Sequence, residues 1–205
     1  MRFMSRSAFL LATACGLVIA GIVHIATVLA IPRFSEGDAF TRARASEILD
    51  HPLRIHGLAG GPPAAGGAWL PNPDPAVSVG VCSYDLDDGP MRVSAQAGSL
   101  MLSVSMHSRR GAFYAVTDQA AVRGGLDLVV MTRAQYDEAL ANDVAGEVTR
   151  DVRIIAPARR GFAVVRVIAA LPSERAAADA AVQAVSCTID SPAEPTGDEA
   201  GGGKS

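Results

Sequence analysis

Between Ala8 and Ile31 the chain runs for 24 residues without a charge, and only Thr13, His24 and Thr27 are clearly polar. At about 1.5 Å of rise per residue, a helix over this stretch reaches roughly 36 Å, enough to cross a hydrocarbon core of about 30 Å. A soluble core helix needs no such unbroken run, so residues 8–31 are predicted to form a transmembrane helix. Two other uses of the segment stay open. Val28-Leu29-Ala30 ends like a signal-peptidase site, although a signal-peptide apolar region spans only about 7–15 residues. Leu11-Ala12-Thr13-Ala14-Cys15 faintly matches a lipoprotein cleavage site, but cleavage there leaves a long apolar stretch at the mature N-terminus. His24 is costly in hydrocarbon unless it faces a partner helix or polar cavity, or sits near the interface.

Arginines flank the run on both sides, with Arg2 and Arg6 before it and Arg33, Arg42 and Arg44 after it. Counting them therefore leaves the orientation undecided. The leading flank, residues 1–7, is short and lacks acids. The trailing flank opens into a domain of about 150 residues, and long domains translocate largely regardless of charge. The expected arrangement is a cytoplasmic N-terminus and an exported C-terminal domain.

That domain holds two of the three cysteines, Cys82 and Cys187, while Cys15 lies in the apolar run. An even pair in an exported domain is a disulfide candidate, and two small buried thiols are the alternative. A net charge of -3 from 18 basic and 21 acidic residues excludes a strongly basic nucleic-acid binder and a highly charged disordered chain. Cys82 has no Cys-x-x-Cys partner and the four histidines are scattered, so no metal centre is expected.

Residues 32–75 read as a juxtamembrane stalk and linker. Ser35–Leu49 has the pattern of a short helix, and 56–75 is rich in glycine and proline. From Val77 the pattern changes to short strands. Val77, Val79 and Val81 alternate with small polar residues, and Leu100, Leu102, Val104 and Met106 alternate with Met101, Ser103, Ser105 and His107. Leu126–Met131, Val152–Ala156 and Phe162–Ala170 read as further strands. Thr132-Arg133-Ala134-Gln135 fits a capping box that opens a helix to about Ala141. Pro172–Cys187 reads as a closing helix, and 189–205 as a disordered tail. The expectation is an α+β chain: one N-terminal transmembrane helix, then a small, mostly antiparallel sheet domain over 76–188 with a closing C-terminal helix. A Cys82–Cys187 bond would then join the first strand to that helix.

The segment Cys82-Ser83-Tyr84-Asp85-Leu86-Asp87-Asp88-Gly89-Pro90-Met91-Arg92-Val93, preceded by Trp69-Leu70-Pro71 and Asp74-Pro75, resembles a family of bacterial membrane-anchored proteins, domain of unknown function 1254. Ser108-Arg109-Arg110-Gly111, Gly161-Phe162-Ala163-Val164-Val165-Arg166 and an alanine-rich stretch ending at Cys187 are similar to the short members of that family. So is the membrane segment from Ile19 to Phe34. The resemblance covers roughly residues 16–187. It departs at Gly98-Ser99-Leu100, where an aromatic pair is usual, and at His107, where a tyrosine is usual. It implies a cell-envelope location at the bacterial inner membrane and a companion membrane protein of family 1214, and it implies no reaction.

Few residues suggest chemistry. Asp85, Asp87 and Asp88 follow the first strand; a cation site competes there with a simple Asp-Gly hairpin turn, which is the expected one. Arg109, Arg110, Arg123, Arg159 and Arg160 fall at expected turns, where they could contact anions or a partner. Lys204 is the sole lysine among the 18 basic residues, so arginine is this chain's ordinary base. Tyr84, His107, Tyr114 and Asp118 are candidate groove residues. Ser105 and His107 share a strand face, yet same-face neighbours on one strand do not make a nucleophile, base and oxyanion hole. The sequence therefore predicts a non-enzymatic protein-interaction domain without cofactors. The alternative is a small-ligand, anionic-lipid or cell-wall binder, or a cryptic enzyme, built near Tyr84, His107 and the arginine turns.

Overall fold

The computed structural model describes residues 6–34, 39–45, 50–60, 70, 72–118, 124–142 and 151–190. It divides into two compact units, 1–41 and 42–205. The first is dominated by α1 (Arg6–Phe34), of which Arg6–Ile31 has a mean hydropathy of 2.4 and buries nothing within the chain. A helix this long and apolar can span a membrane. Pro32 falls inside its last turns and does not end it. A short helix, α2 (Ala39–Ala45), lies within the stretch expected to be helical.

The second unit is two sheets and a helix around one core. Sheet A orders β1 (Leu53–His56), β2 (Val77–Asp85), β8 (Arg160–Ile168), β4 (Leu102–Ser108) and β5 (Gly111–Thr117). Sheet B orders β7 (Val152–Ile155), β6 (Gly125–Met131), β3 (Met91–Gln96) and β9 (Ser186–Ile189). All pairings are antiparallel except β6 with β7. The α+β class with an apolar N-terminal helix and a C-terminal helix is thus as expected.

Alternate residues of the strands build the core. Cys82, Ala163 and Met106 share one row across sheet A, and Gly80, Val165 and Val104 the next. They meet Met91, Val93, Leu128, Val130 and Cys187 of sheet B. Helix α4 (Arg175–Gln183) adds Ala178 and Val182 on the same side as sheet B. Gly80 admits that helix: a Cβ there would lie 2.6 Å from Val182 and 2.8 Å from Pro52.

Several expectations need correction. The closing helix stops at Gln183, after a 3-10 turn over Pro172–Glu174, and Cys187 lies in strand β9. Val185, Cys187 and Ile189 alternate inward there, and valine, threonine and isoleucine favour the extended backbone. The Cys82–Cys187 disulfide, with Cα atoms 6.4 Å apart, therefore joins a strand of one sheet to a strand of the other, and not a strand to a helix. The expected linker contains β1, which pairs with β2 through Leu53 and Val81, so the sheet domain begins before residue 76. Asp88-Gly89 does not close a hairpin, because β2 and β3 belong to different sheets. Asp85 instead accepts the Asp87 N–H at 3.2 Å, and Gly89, at φ 138°, lies where a Cβ would meet the Asp190 carbonyl at 2.6 Å. The capping box forms as expected: Gln135 N–H donates to Thr132 and Thr132 N–H to Gln135, opening α3 (Arg133–Asn142). The expected tail beyond 190 lies outside the described residues.

Candidate functional site

The groove expected from Tyr84, His107, Tyr114 and Asp118 does not assemble. Tyr84 points inward and is 2% exposed, its ring over Gly161, whereas His107 stands on the opposite, outer face of sheet A beside Phe162. The Tyr84 hydroxyl finds no partner among the described residues, and burial pushes its ionisation well above the usual tyrosine value. Tyr114 shares the inward row of Met106. Asp118 is buried and accepts the Leu102 N–H at 3.2 Å, which fixes the start of β4.

Four of the five turn arginines are described and gather at one end of sheet A, and two of those four are paired with aspartates. The β4–β5 turn carrying Arg109 and Arg110 lies at the same end of sheet A as Arg159 and Arg160, because His107 pairs with Phe162. Arg160 opens β8 opposite Asp85 and bonds it at 2.6 Å; Arg159 bonds Asp87. Arg109 and Arg110 are exposed, and no carboxylate among the described residues pairs with either. Arg123 lies outside the described residues. Two of the three acids that raised the question of a cation site, Asp85 and Asp87, are thus partners of arginine.

On the outer face of sheet A, register alone sets a polar cluster. Ser105 Oγ and His107 Nε2 are 2.9 Å apart, and Arg166 Nη1 donates to Ser105 Oγ at 3.1 Å. His107 stacks on Phe162 with ring centroids 5.1 Å apart. Burial and then the Arg166 charge hold His107 below the usual histidine value, which favours the neutral ring, and its Nε2 shares one hydrogen bond with the Ser105 hydroxyl. A serine and a neutral histidine in contact are part of a nucleophilic site, and two further parts are needed. No carboxylate among the described residues orients the ring. β4 is also flanked by β8 and β5, so its backbone N–H groups are engaged in ladders and not free to hold an oxyanion. Arg166 was not singled out from sequence, though the alternation Phe162, Val164, Arg166 places it on this face.

A further open feature is main chain. β5 ends sheet A over seven residues, Gly-Ala-Phe-Tyr-Ala-Val-Thr, with no charge and no proline. The Leu102 N–H turns toward the β5 side, to Asp118, while the Met101 carbonyl turns toward β8, to the Ile168 N–H. By alternation Tyr114 and Val116 face β4, and Ala115 and Thr117 present their N–H and C=O groups to the open side. A bulge between Met106 and His107 twists the strand's start.

No family model matches the chain, and no curated protein matches it. The fold is compared with two crystal structures of uncharacterised proteins. The VPA0106 protein of Vibrio parahaemolyticus has a TM-score of 0.41 at 11% identity, with 63% of this chain and 35% of that one covered. A Burkholderia cenocepacia protein has a TM-score of 0.37 at 14% identity, with 62% and 32% covered. The chain spans about a third of the length of each.

Proposed function

We propose that this chain is a non-catalytic, single-pass cell-envelope protein whose sheet domain binds another protein on the periplasmic side of the inner membrane. The observation that carries the reading is the open edge at β5. An uncharged, proline-free edge of seven residues is a template for a partner strand, and natural proteins usually blunt such edges with charge or proline. Helix α1 supports the membrane location, and a buried disulfide suits an oxidising compartment. The resemblance to domain of unknown function 1254 supports a bacterial envelope setting and makes a family 1214 membrane protein the first partner to try. Dispersal of Tyr84, His107, Tyr114 and Asp118 weighs against a ligand groove among them.

A photocrosslinking residue at exposed Ala112, introduced into the full chain in cells, should give one discrete adduct. Ala115→Pro removes an outward N–H without touching the β4 ladder, so it should abolish the adduct. Absence of a discrete adduct, or its survival in Ala115→Pro, would overturn strand addition at this edge.

A further inference from the structure

A second interrupted ladder lies in sheet B, and it borders a cavity. Strand β9 pairs with β3 only from Met91 to Ser94, the last pair being Ser94 with Ser186. β3 continues through Gln96. The position opposite Gln96 would fall to Ala184, but Ala184 caps α4 with its N–H on the Ala180 carbonyl at 2.9 Å. The helix therefore holds the chain away from the sheet until Ser186.

Between Gln96 and Ala184 lies a cavity of about 810 Å³, also bordered by Leu100, Ala177 and Ala181. The volume is within the range of about 300–1,000 Å³ typical of ligand sites. Among the described residues, none that lines it is charged.

The direction of the free groups follows from parity. Asp190 N–H donates to the Pro90 carbonyl on the β9 side, and Ala97 N–H donates to Gly124 on the β6 side. Main-chain groups alternate along an antiparallel strand, so Arg92, Ser94 and Gln96 face β9, and Ala95 and Ala97 face β6. Gln96 thus directs its N–H and C=O into the cavity at a position where β9 has already ended.

We infer that this cavity binds an extended, uncharged peptide with small apolar side chains, which pairs antiparallel to β3 and continues the line of β9. A main-chain donor and acceptor on one wall match a peptide group, not a purely apolar molecule. The alanines on the opposite wall leave room for methyl-sized side chains. The absence of lining charge disfavours an ionic side chain, which would lose its hydration without a partner. The site is on sheet B and is independent of the β5 edge on sheet A.

The test uses the full chain in nanodiscs with N-acetyl-trialanine amide as probe and hydrogen–deuterium exchange as readout. Saturating probe should slow exchange over residues 94–99 by roughly tenfold and leave β5 unchanged. Ala184→Phe, at an exposed helix end, should fill the cavity and remove the effect. Gln96→Pro deletes the cavity-facing N–H while sparing the β6 ladder, and it should remove probe binding measured by calorimetry. No slowing at the solubility limit of the probe, or equal slowing in Ala184→Phe, would overturn the site. Equal slowing by n-decanol, which has no peptide group, would overturn the peptide assignment.

Discussion

Asp179 offers the sharpest test of how the domain is held together. It is 5% exposed on α4, and its carboxylate gathers the segment around β1. It accepts the Leu58 N–H at 2.9 and 3.0 Å, the Ala59 N–H at 3.0 Å, the Ser78 hydroxyl at 2.6 Å and Arg54 Nη1 at 3.3 Å. Asp179→Ala takes the acceptor from Leu58, Ala59 and Arg54 and leaves the Ser78 hydroxyl only the His56 carbonyl, at 3.3 Å. Ala59 is exposed and Arg54 is partly exposed, so water replaces their bonds. Leu58 is half-buried and its orphaned N–H costs about 1–3 kcal/mol, while the fully buried Ser78 hydroxyl exchanges a bond to a charged acceptor for a longer one to a carbonyl, at a cost of about 1 kcal/mol. The expected loss is about 3 kcal/mol, or about 6–12 °C in Tm for a domain of this size. Asp179→Asn keeps one carbonyl acceptor and should lose less. Burial pushes the Asp179 carboxyl up, but the bonds from Ser78, Ala59 and Leu58 and the Arg54 charge outweigh it, so the group stays below the usual aspartate value. The unfolded chain therefore takes up this proton first as pH falls. The stabilisation is complete above the ordinary aspartate value and is lost as pH drops through the lowered one. Thermal unfolding of the full chain in detergent, followed by circular dichroism, should show a parent–variant gap at pH 7 that narrows on acidification. A variant melting within about 2 °C of the parent at pH 7, or a gap indifferent to acid, would refute the reasoning.

Two further outcomes follow from the core. Cys82 and Cys187 close a loop of 105 residues, for which the chain-entropy model gives about 4–5 kcal/mol, so replacing both by alanine should lower Tm by about 10–15 °C. Reductant should do the same to the parent and nothing to the variant; equal melting of parent and variant would remove the staple. Tyr84→Phe removes an unpartnered buried hydroxyl and should leave stability unchanged or raise it by about 1–2 kcal/mol, measured by urea unfolding, whereas a clear loss would mean the hydroxyl has a partner.

Sequence patterns carried the local structure well and the long-range structure poorly. The uncharged run of 8–31, the alternation of β2 and β4 and the reciprocal Thr132–Gln135 box are properties of adjacent residues, so they are visible without a fold. Division into two sheets is not, because it depends on β8 pairing between β2 and β4 across more than fifty residues of chain. β9 was hidden by the alanine-rich helix before it, since helix and strand patterns meet within two residues at Ala184 and Val185. β1 was hidden by its four-residue length in a glycine- and proline-rich setting. The Cys82–Cys187 pair was legible from compartment and count, yet what it joins was not. Nothing in the residues around Asp179 marks it out within its alanine-rich helix, and only the approach of residues 57–59 makes it an anchor.

The distribution of satisfied and open groups explains why the readings proposed here rest on backbone. Arg92 is held by Asp127 and Asp190, Arg153 by Asp151, Arg159 by Asp87 and Arg160 by Asp85, while Arg166, Ser105 and His107 bind one another. Those side chains already have partners, and a ligand must displace one to gain another, with little net change at an exposed pair. Ala115 and Thr117 at the rim of sheet A, and Gln96 beside the cavity, have main-chain groups directed away from every strand among the described residues. Pairing them with a peptide exchanges water for a geometrically fixed partner and excludes water from the small apolar side chains alongside. The affinity of one such contact is modest. If both molecules are tethered to one membrane, as the proposed function requires, their effective concentration rises, and modest strand pairing then suffices for association.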